Sequence, residues 1–311
     1  MKPLAANCGA APAVLLKKKY KTKEKIVFCG ALMKVWRIYK LFPGSPGALL
    51  CGAVYKVCRR GRGREEDMEF WGITDSGKIR QQNQDIFKVL YDEDRGIAIL
   101  AVCDGMGGAN AGNVASALAA EAFMHYMGRY VEHIGLQSDV AMKMADAVLA
   151  ANNAVYEKSA FEDEYAGMGT TLAAAISTAD GEVVVNIGDS RVYRVTPDSI
   201  AQVTKDHSVV EDMIDRGDLT RAEAFRHPSK NLITRALGTN RDEEPDVFFL
   251  KLDPGDYLLL CSDGLSNVIT DKEILYELSC GEGVRESCEK LLEMALGRGA
   301  PDNVTAVLFR K

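Results

Sequence analysis

Short apolar runs joined by tight turns are the feature that most restricts the fold of this chain. Residues 69–74, 85–91 and 96–103 read as strands, with only 92–95 between the last two. Runs at 170–178, 182–187 and 191–195 follow, broken by Ala179-Asp180-Gly181 and Gly188-Asp189-Ser190. Residues 247–252 and 257–262 flank Asp253-Pro254-Gly255-Asp256, and 303–310 closes the chain. Parallel strands need long crossovers, so connections this short predict antiparallel pairing. Helical spacing of Ala, Met and Leu predicts two long helices at 109–130 and 138–159, and two shorter ones at 271–279 and 283–296. Strands clustered before and after helix pairs predict an α+β fold, sheets packed together with helices outside. The polar stretch 205–237, with helical pieces and His227-Pro228, reads as an excursion from the sheet.

Charge divides the chain in two. Residues 1–67 carry ten Lys and five Arg against four acidic residues, a net +11, so a total of −6 leaves about −17 on the rest. An acidic body argues against nucleic acid as a partner. The leader's apolar patches, 26–33 and 41–55, are too short to span a membrane, and Pro43 and Pro46 break the second. Lys17, Lys18 and Lys19 interrupt any signal-peptide core. Two readings of 1–67 remain: a basic segment lying on anionic membrane, or a start placed too early, with Met68 opening the domain of 68–311. The second is preferred. The eight cysteines form no C-x-x-C pair, so neither a disulfide framework nor a zinc site is expected, and a reducing cytoplasm is the default.

Five aspartates stand at isolated turn positions: Asp85, Asp104, Asp189, Asp263 and Asp302. Carboxylates at the ends of apolar runs can hold hard divalent cations with oxygen ligands alone. Asp104 and Asp263 share one context, an apolar strand followed by Asp-Gly, in which the glycine permits a sharp turn and offers its carbonyl as a further oxygen. Read singly, Asp189 and Asp302 are ordinary turn residues. Arg80, five residues before Asp85, has a planar fork suited to a phosphate, although a solvated surface role is the bland alternative. Rival chemistries fail on spacing. No C-x5-R motif starts at Cys103, Cys261 or Cys280, no G-x-S-x-G motif is present, and His125, His133, His207 and His227 lack zinc-ligand spacing.

Taken in order, R-x-x-N-x-D, D-G-M-G-G, Gly167-Met168-Gly169-Thr170-Thr171, G-D-S-R, S-D-G-L and D-N resemble the metal-dependent protein phosphatases (the PPM, or protein phosphatase 2C, family) in their short bacterial form. The resemblance covers 68–311 and implies a four-layer α-β-β-α sandwich, two antiparallel sheets face to face with helix pairs outside. It implies Mn2+ or Mg2+, two catalytic ions with a possible third, and phosphoserine or phosphothreonine proteins as substrates. Carried over by motif, Asp104 bridges two cations with help from the Gly105 carbonyl, Asp263 and Asp302 complete the first, and Asp85 supports the second. Asp189 with Asp263 matches a third-metal position, Arg80 binds the substrate phosphate, and 205–237 matches a flap. The implied chemistry is direct attack by a metal-bridging hydroxide, opposing a bacterial Ser/Thr kinase in the cytoplasm. Two positions depart from the wider family. Met106 replaces a histidine proposed as general acid, which would leave the leaving group to a metal-bound water, and Gln84 replaces a glutamate. The alternatives are a phosphatase of anti-sigma-factor antagonists and a phosphoprotein-binding pseudophosphatase.

Overall fold

Strand β4 (Ile97–Met106) is buried along nearly its whole length, and its two faces enter different cores. Ile97, Ile99, Ala101 and Cys103 pack in one apolar cluster, while Ala98, Leu100 and Val102 pack in another. That alternation of period two places β4 in a sheet covered on both sides. Strand β11 (Tyr257–Cys261) repeats the arrangement, with Leu259 and Cys261 on one side and Leu258 and Leu260 on the other. Leu258 and Leu260 share a cluster with Leu100 and Val102, so the two sheets face each other across a common core.

The computed structural model describes the backbone of residues 54–61, 64–108, 111–131 and 137–311. One sheet has the order β1-β2-β12-β11-β8-β9 and the other β10-β7-β6-β4-β3, with β5 paired to the end of β4. The remaining strands are β1 (Val54–Gly61), β2 (Arg64–Asp75), β3 (Asp85–Asp92), β5 (Gly169–Thr170), β6 (Leu172–Ser177), β7 (Glu182–Ile187), β8 (Arg191–Val195), β9 (Ile200–Gln202), β10 (Asp246–Leu250) and β12 (Val304–Arg310). Every ladder among them is antiparallel, as the short turns require. Helices α1 (Ala111–Tyr130) and α2 (Gln137–Phe161) cover the second sheet through Phe123, Met127, Met144 and Val148. Helices α6 (Asp271–Cys280) and α7 (Val284–Gly297) cover the first through Ile274, Leu278, Cys288 and Leu291. The four-layer sandwich is therefore the fold. Thr270 and Glu273 close a capping box at the start of α6, which fixes where that helix begins.

Several elements escape the sequence reading. Strand β1 and the start of β2 fall within the basic leader, upstream of Met68. Strand β9 is only three residues long, and a single helical turn, α5 (Asp263–Ser266), follows β11. Most of the leader lies outside the described residues, as do Ala109 and His133. The excursion at 205–237 carries two short helices, α3 (Val209–Asp215) and α4 (Arg221–Ala224). It closes on itself through an isolated bridge between Ser208 and Ile233. Among the described residues, no helix is long and apolar enough to cross a membrane.

Candidate active site

Five of the six side chains singled out from sequence line one cavity of about 230 Å3, and the sixth lies directly behind it. Arg80, Asp104, Asp189, Asp263 and Asp302 are in the lining, with Gly105, Met106 and Gln84. Asp85 sits opposite Asp104 in the β3–β4 register and is 7% exposed. Each sheet delivers its carboxylates at the end of a strand: β3 and β4 from one, β11 and the start of β12 from the other. Asp189 comes from the β7–β8 turn, so the site forms where the two sheets' strand ends meet.

Asp85 is the best supported of the set. Its Oδ2 accepts from Ser262 Oγ and Thr305 Oγ1, each at 2.7 Å, while Oδ1 is buried with no partner. Thr305 in turn lies 2.7 Å from Thr74 Oγ1, which accepts from Asn83 Nδ2 at 2.8 Å. The support thus runs from β3 across the sheet that pairs β2, β12 and β11. Asp104 is fixed through its backbone: its N–H donates to Thr171 Oγ1 (2.9 Å), and its carbonyl accepts from the Thr171 N–H (2.9 Å) and Thr170 Oγ1 (2.9 Å). Thr171 Oγ1 also lies 2.7 Å from Ser190 Oγ, which joins the Asp104 strand to the Asp189 turn. Asp263 accepts from Asn267 Nδ2 at 2.9 Å through Oδ2 and leaves Oδ1 buried without a partner. Asp302 Oδ2 accepts from Arg80 Nη2 at 2.7 Å.

So many carboxylates in one place raise each other's affinity for protons. Burial, then the neighbouring charges of Asp85, Asp263, Asp189 and Asp302, push Asp104 well above the usual carboxylate range. Burial and the charges of Asp263 and Asp206 do the same to Asp189. Burial, Asp302 and Asp85 lift Asp263 to about 7. Burial lifts Asp85 to about 6 against the lowering effect of its hydroxyl donors. Among the described residues, no three His, Cys, Asp or Glu side chains close into a finished ligand shell. Like charges in one cavity repel, and Asp302 is drawn to Arg80. The partnerless Oδ1 atoms of Asp85 and Asp263, and a donor set made only of oxygen, nevertheless fit hard divalent cations.

Asn303, read from sequence only as the turn partner of Asp302, holds the segment beside the cavity. Its Oδ1 accepts from the Gln84 N–H (2.9 Å), and its Nδ2 donates to the carbonyls of Ser76 and Gln82 (2.9 Å each). It therefore pins both ends of the segment that carries Arg80. Gln84 holds the Gly105 N–H on its carbonyl at 3.1 Å, so the two departures from the wider family, Gln84 and Met106, both lie in the lining. A second, larger cavity of about 440 Å3 shares Asp189 and Asp263 and runs under α3 and α4 of the excursion. Its walls mix apolar and charged side chains, whereas the smaller cavity gathers the converging carboxylates and Arg80.

The Asp-Gly pairs also have a packing reason. A methyl group on Gly264 would stand 1.9 Å from the Asn303 carbonyl, and one on Gly105 would stand 2.0 Å from the Gly112 carbonyl. Backbone atoms cannot swing aside, so Gly264→Ala is expected to cost at least about 1–3 kcal/mol. The measurement is the urea midpoint. A midpoint equal to that of the parent would mean the α5–β12 junction has slack that this packing denies.

A family model described as "Protein phosphatase 2C" matches residues 78–308. The serine/threonine protein phosphatase PstP of Mycobacterium tuberculosis is 40% identical over 235 residues, which is 76% of this chain and 43% of that protein. The chain therefore spans less than half the length of that relative. The serine/threonine phosphatase stp of Listeria innocua is 33% identical over 238 residues, 76% of this chain and 94% of that protein. A crystal structure of the catalytic domain of serine threonine protein phosphatase PstP in complex with two manganese ions superposes with a TM-score of 0.68 at 37% identity. That match covers 78% of this chain and 97% of the other. With the family model spanning most of its length, the sandwich and the strand-end aspartates in place, the chain belongs to the protein phosphatase 2C family.

Proposed function

We propose that this protein is a metal-dependent serine/threonine phosphatase that hydrolyses phosphoserine and phosphothreonine in other proteins. The observation that carries the reading is the single cavity in which Arg80 meets Asp104, Asp189, Asp263 and Asp302, with Asp85 behind Asp104. Asp104 would serve two divalent cations with the Gly105 carbonyl as a further ligand, Asp263 and Asp302 completing one and Asp85 supporting the other. Asp189 with Asp263 would offer a third position. Manganese or magnesium suits these oxygen donors, and manganese is what the PstP catalytic domain is described as holding. Bound there, such cations lower the pKa of water and neutralise charge on phosphoryl oxygens.

The chain's own groups set the rest. Arg80 is half-exposed, held at one nitrogen by Asp302, and keeps its other donors for phosphate oxygens. A thiol route through either strand cysteine beside the site, Cys103 or Cys261, is closed. Cys103 and Cys261 are fully buried, and burial pushes Cys261 up to about 12 and Cys103 higher still. Met106 carries no titratable proton, so the leaving oxygen takes its proton from water. We assign catalysis to residues 68–311 and the role of a flap to 205–237. Phosphoproteins as substrates are supported by the names of the relatives, and the acidic body argues against nucleic acid; a cognate Ser/Thr kinase and a cytoplasmic setting complete the proposal.

The test is hydrolysis of a phosphothreonine peptide by Arg80 variants. Losing a charge-assisted clamp should lower kcat/KM by about 10–100-fold in Arg80→Ala. Arg80→Lys should recover only part, because an ammonium lacks the planar fork. Unchanged kcat/KM in Arg80→Ala would remove Arg80 from the site.

A further inference from the structure

His207 is buried (8% exposed) beside the candidate site, and nothing in the reading above uses it. Its main-chain N–H donates to the Gly188 carbonyl at 3.0 Å, and its Nδ1 accepts the Gly188 N–H at 3.0 Å. One residue thus takes both main-chain groups of the glycine that precedes Asp189. A backbone N–H can only donate, so Nδ1 is the bare nitrogen and the ring hydrogen is on Nε2. Nε2 lies 3.2 Å from Asp246 Oδ2, and Arg235 Nη1 donates to Asp246 Oδ1 at 3.0 Å. Arg235 Nη1 is also 2.9 Å from Nε2, so the two donors sit side by side on one carboxylate.

His207 also stands where the flap begins and ends. Its carbonyl accepts from the Thr234 N–H at 2.8 Å, next to the bridge between Ser208 and Ile233. The Val209 N–H reaches the Leu232 carbonyl at 2.9 Å, which completes a short neck. On the other side Gly188 adopts a φ of +104°, a conformation that local preference alone does not hold for a particular turn shape. A Cβ on Gly188 would stand 2.5 Å from Thr171 Cγ2, so the turn is pressed onto the residue that fixes Asp104. His207 thus meets the Gly188 N–H and the Asp246–Arg235 pair through its ring, and the neck through its main chain.

We propose that His207 is a positioning residue: its clasp on Gly188 sets the turn that carries Asp189 and ties that turn to the neck of the flap. The kinetic part of this proposal rests on the phosphatase reading, while the clasp itself does not. Two variants of the full chain separate the contacts. His207→Ala removes the whole side chain. His207→Asn keeps an amide oxygen near the place of Nδ1, able to accept the Gly188 N–H, but cannot reach Asp246.

Amide hydrogen exchange of the peptide containing Gly188 reads the clasp, and Mn2+-dependent turnover of a phosphothreonine peptide reads its consequence. Exchange should speed about tenfold in His207→Ala, the measure of one lost hydrogen bond, and return toward the parent rate in His207→Asn. Turnover should follow the same order, with kcat/KM down about 10–100-fold in His207→Ala and mostly restored in His207→Asn. Parent-like exchange at Gly188 in His207→Ala would overturn the proposal. So would two variants equally impaired in exchange and turnover, since the Asp246 contact would then be the one that matters. A parent protein without turnover would defeat the phosphatase reading and leave the clasp to be decided by exchange alone.

Discussion

Asp104→Asn should abolish phosphothreonine hydrolysis while leaving the metal-free protein at least as stable as its parent. The loss in kcat/KM should exceed the roughly 10–100-fold that follows removal of a merely supporting group. Asn keeps the shape and can still offer one oxygen, but it has no charge with which to hold two cations. The stability half follows from the electrostatics of the cavity. Burial and the charges of Asp85, Asp263, Asp189 and Asp302 all act against an ionised Asp104, so deleting its charge relieves repulsion. Its backbone bonds to Thr170 and Thr171 do not involve the side chain and survive the change. Thermal melts in chelator together with kinetics in Mn2+ read both halves. A melting temperature well below that of the parent would show that Asp104 holds the fold together rather than the ions.

The second large effect is a pH dependence that a divalent cation reverses. In chelator, Asp85 is raised to about 6 and Asp263 to about 7 from an ordinary value of 3.8. The folded state then keeps protons that the unfolded chain has released. The stability these groups contribute is complete below about pH 4 and is lost as pH rises through 6 and 7. On the order of a few kcal/mol is at stake across that window. Chelated protein should therefore melt at a lower temperature at pH 7.5 than at pH 5.5. Mn2+ at a thousand times its dissociation constant should add about 4 kcal/mol and remove the downward slope, because the ions now neutralise the same carboxylates. A melting temperature that climbs with pH in chelator, or that ignores Mn2+, would contradict the picture of a strained acidic cluster.

The site's acidic half was legible in the sequence because each aspartate ends an apolar run or fills a glycine turn. Such positions are fixed by local chemistry, and Asp104 and Asp263 repeat one pattern. The supporting half was not legible. Ser262 and Thr305 reach Asp85 across 177 and 220 residues of chain, and Asn303 reaches Gln82 across 221. Serine, threonine and asparagine are too common at turns for a single sequence to mark those that act at such range. His207 escaped for a related reason: its partners Gly188, Arg235 and Asp246 come from three separate elements. The strand turns gave the antiparallel sheets, yet β9, three residues between turns, offers no alternation to read. Strand β1 lies in a segment whose basic composition argued for a leader rather than a sheet edge.

The measurement that bears most directly on the whole account is the initial rate of phosphothreonine-peptide hydrolysis by the full chain as Mn2+ is stepped from chelated to saturating. The account predicts no turnover in chelator and a saturable rise with the ion, restored after each cycle of chelation and reloading. A rate that persists in chelator, or a folded protein that binds Mn2+ and releases no phosphate, would contradict it.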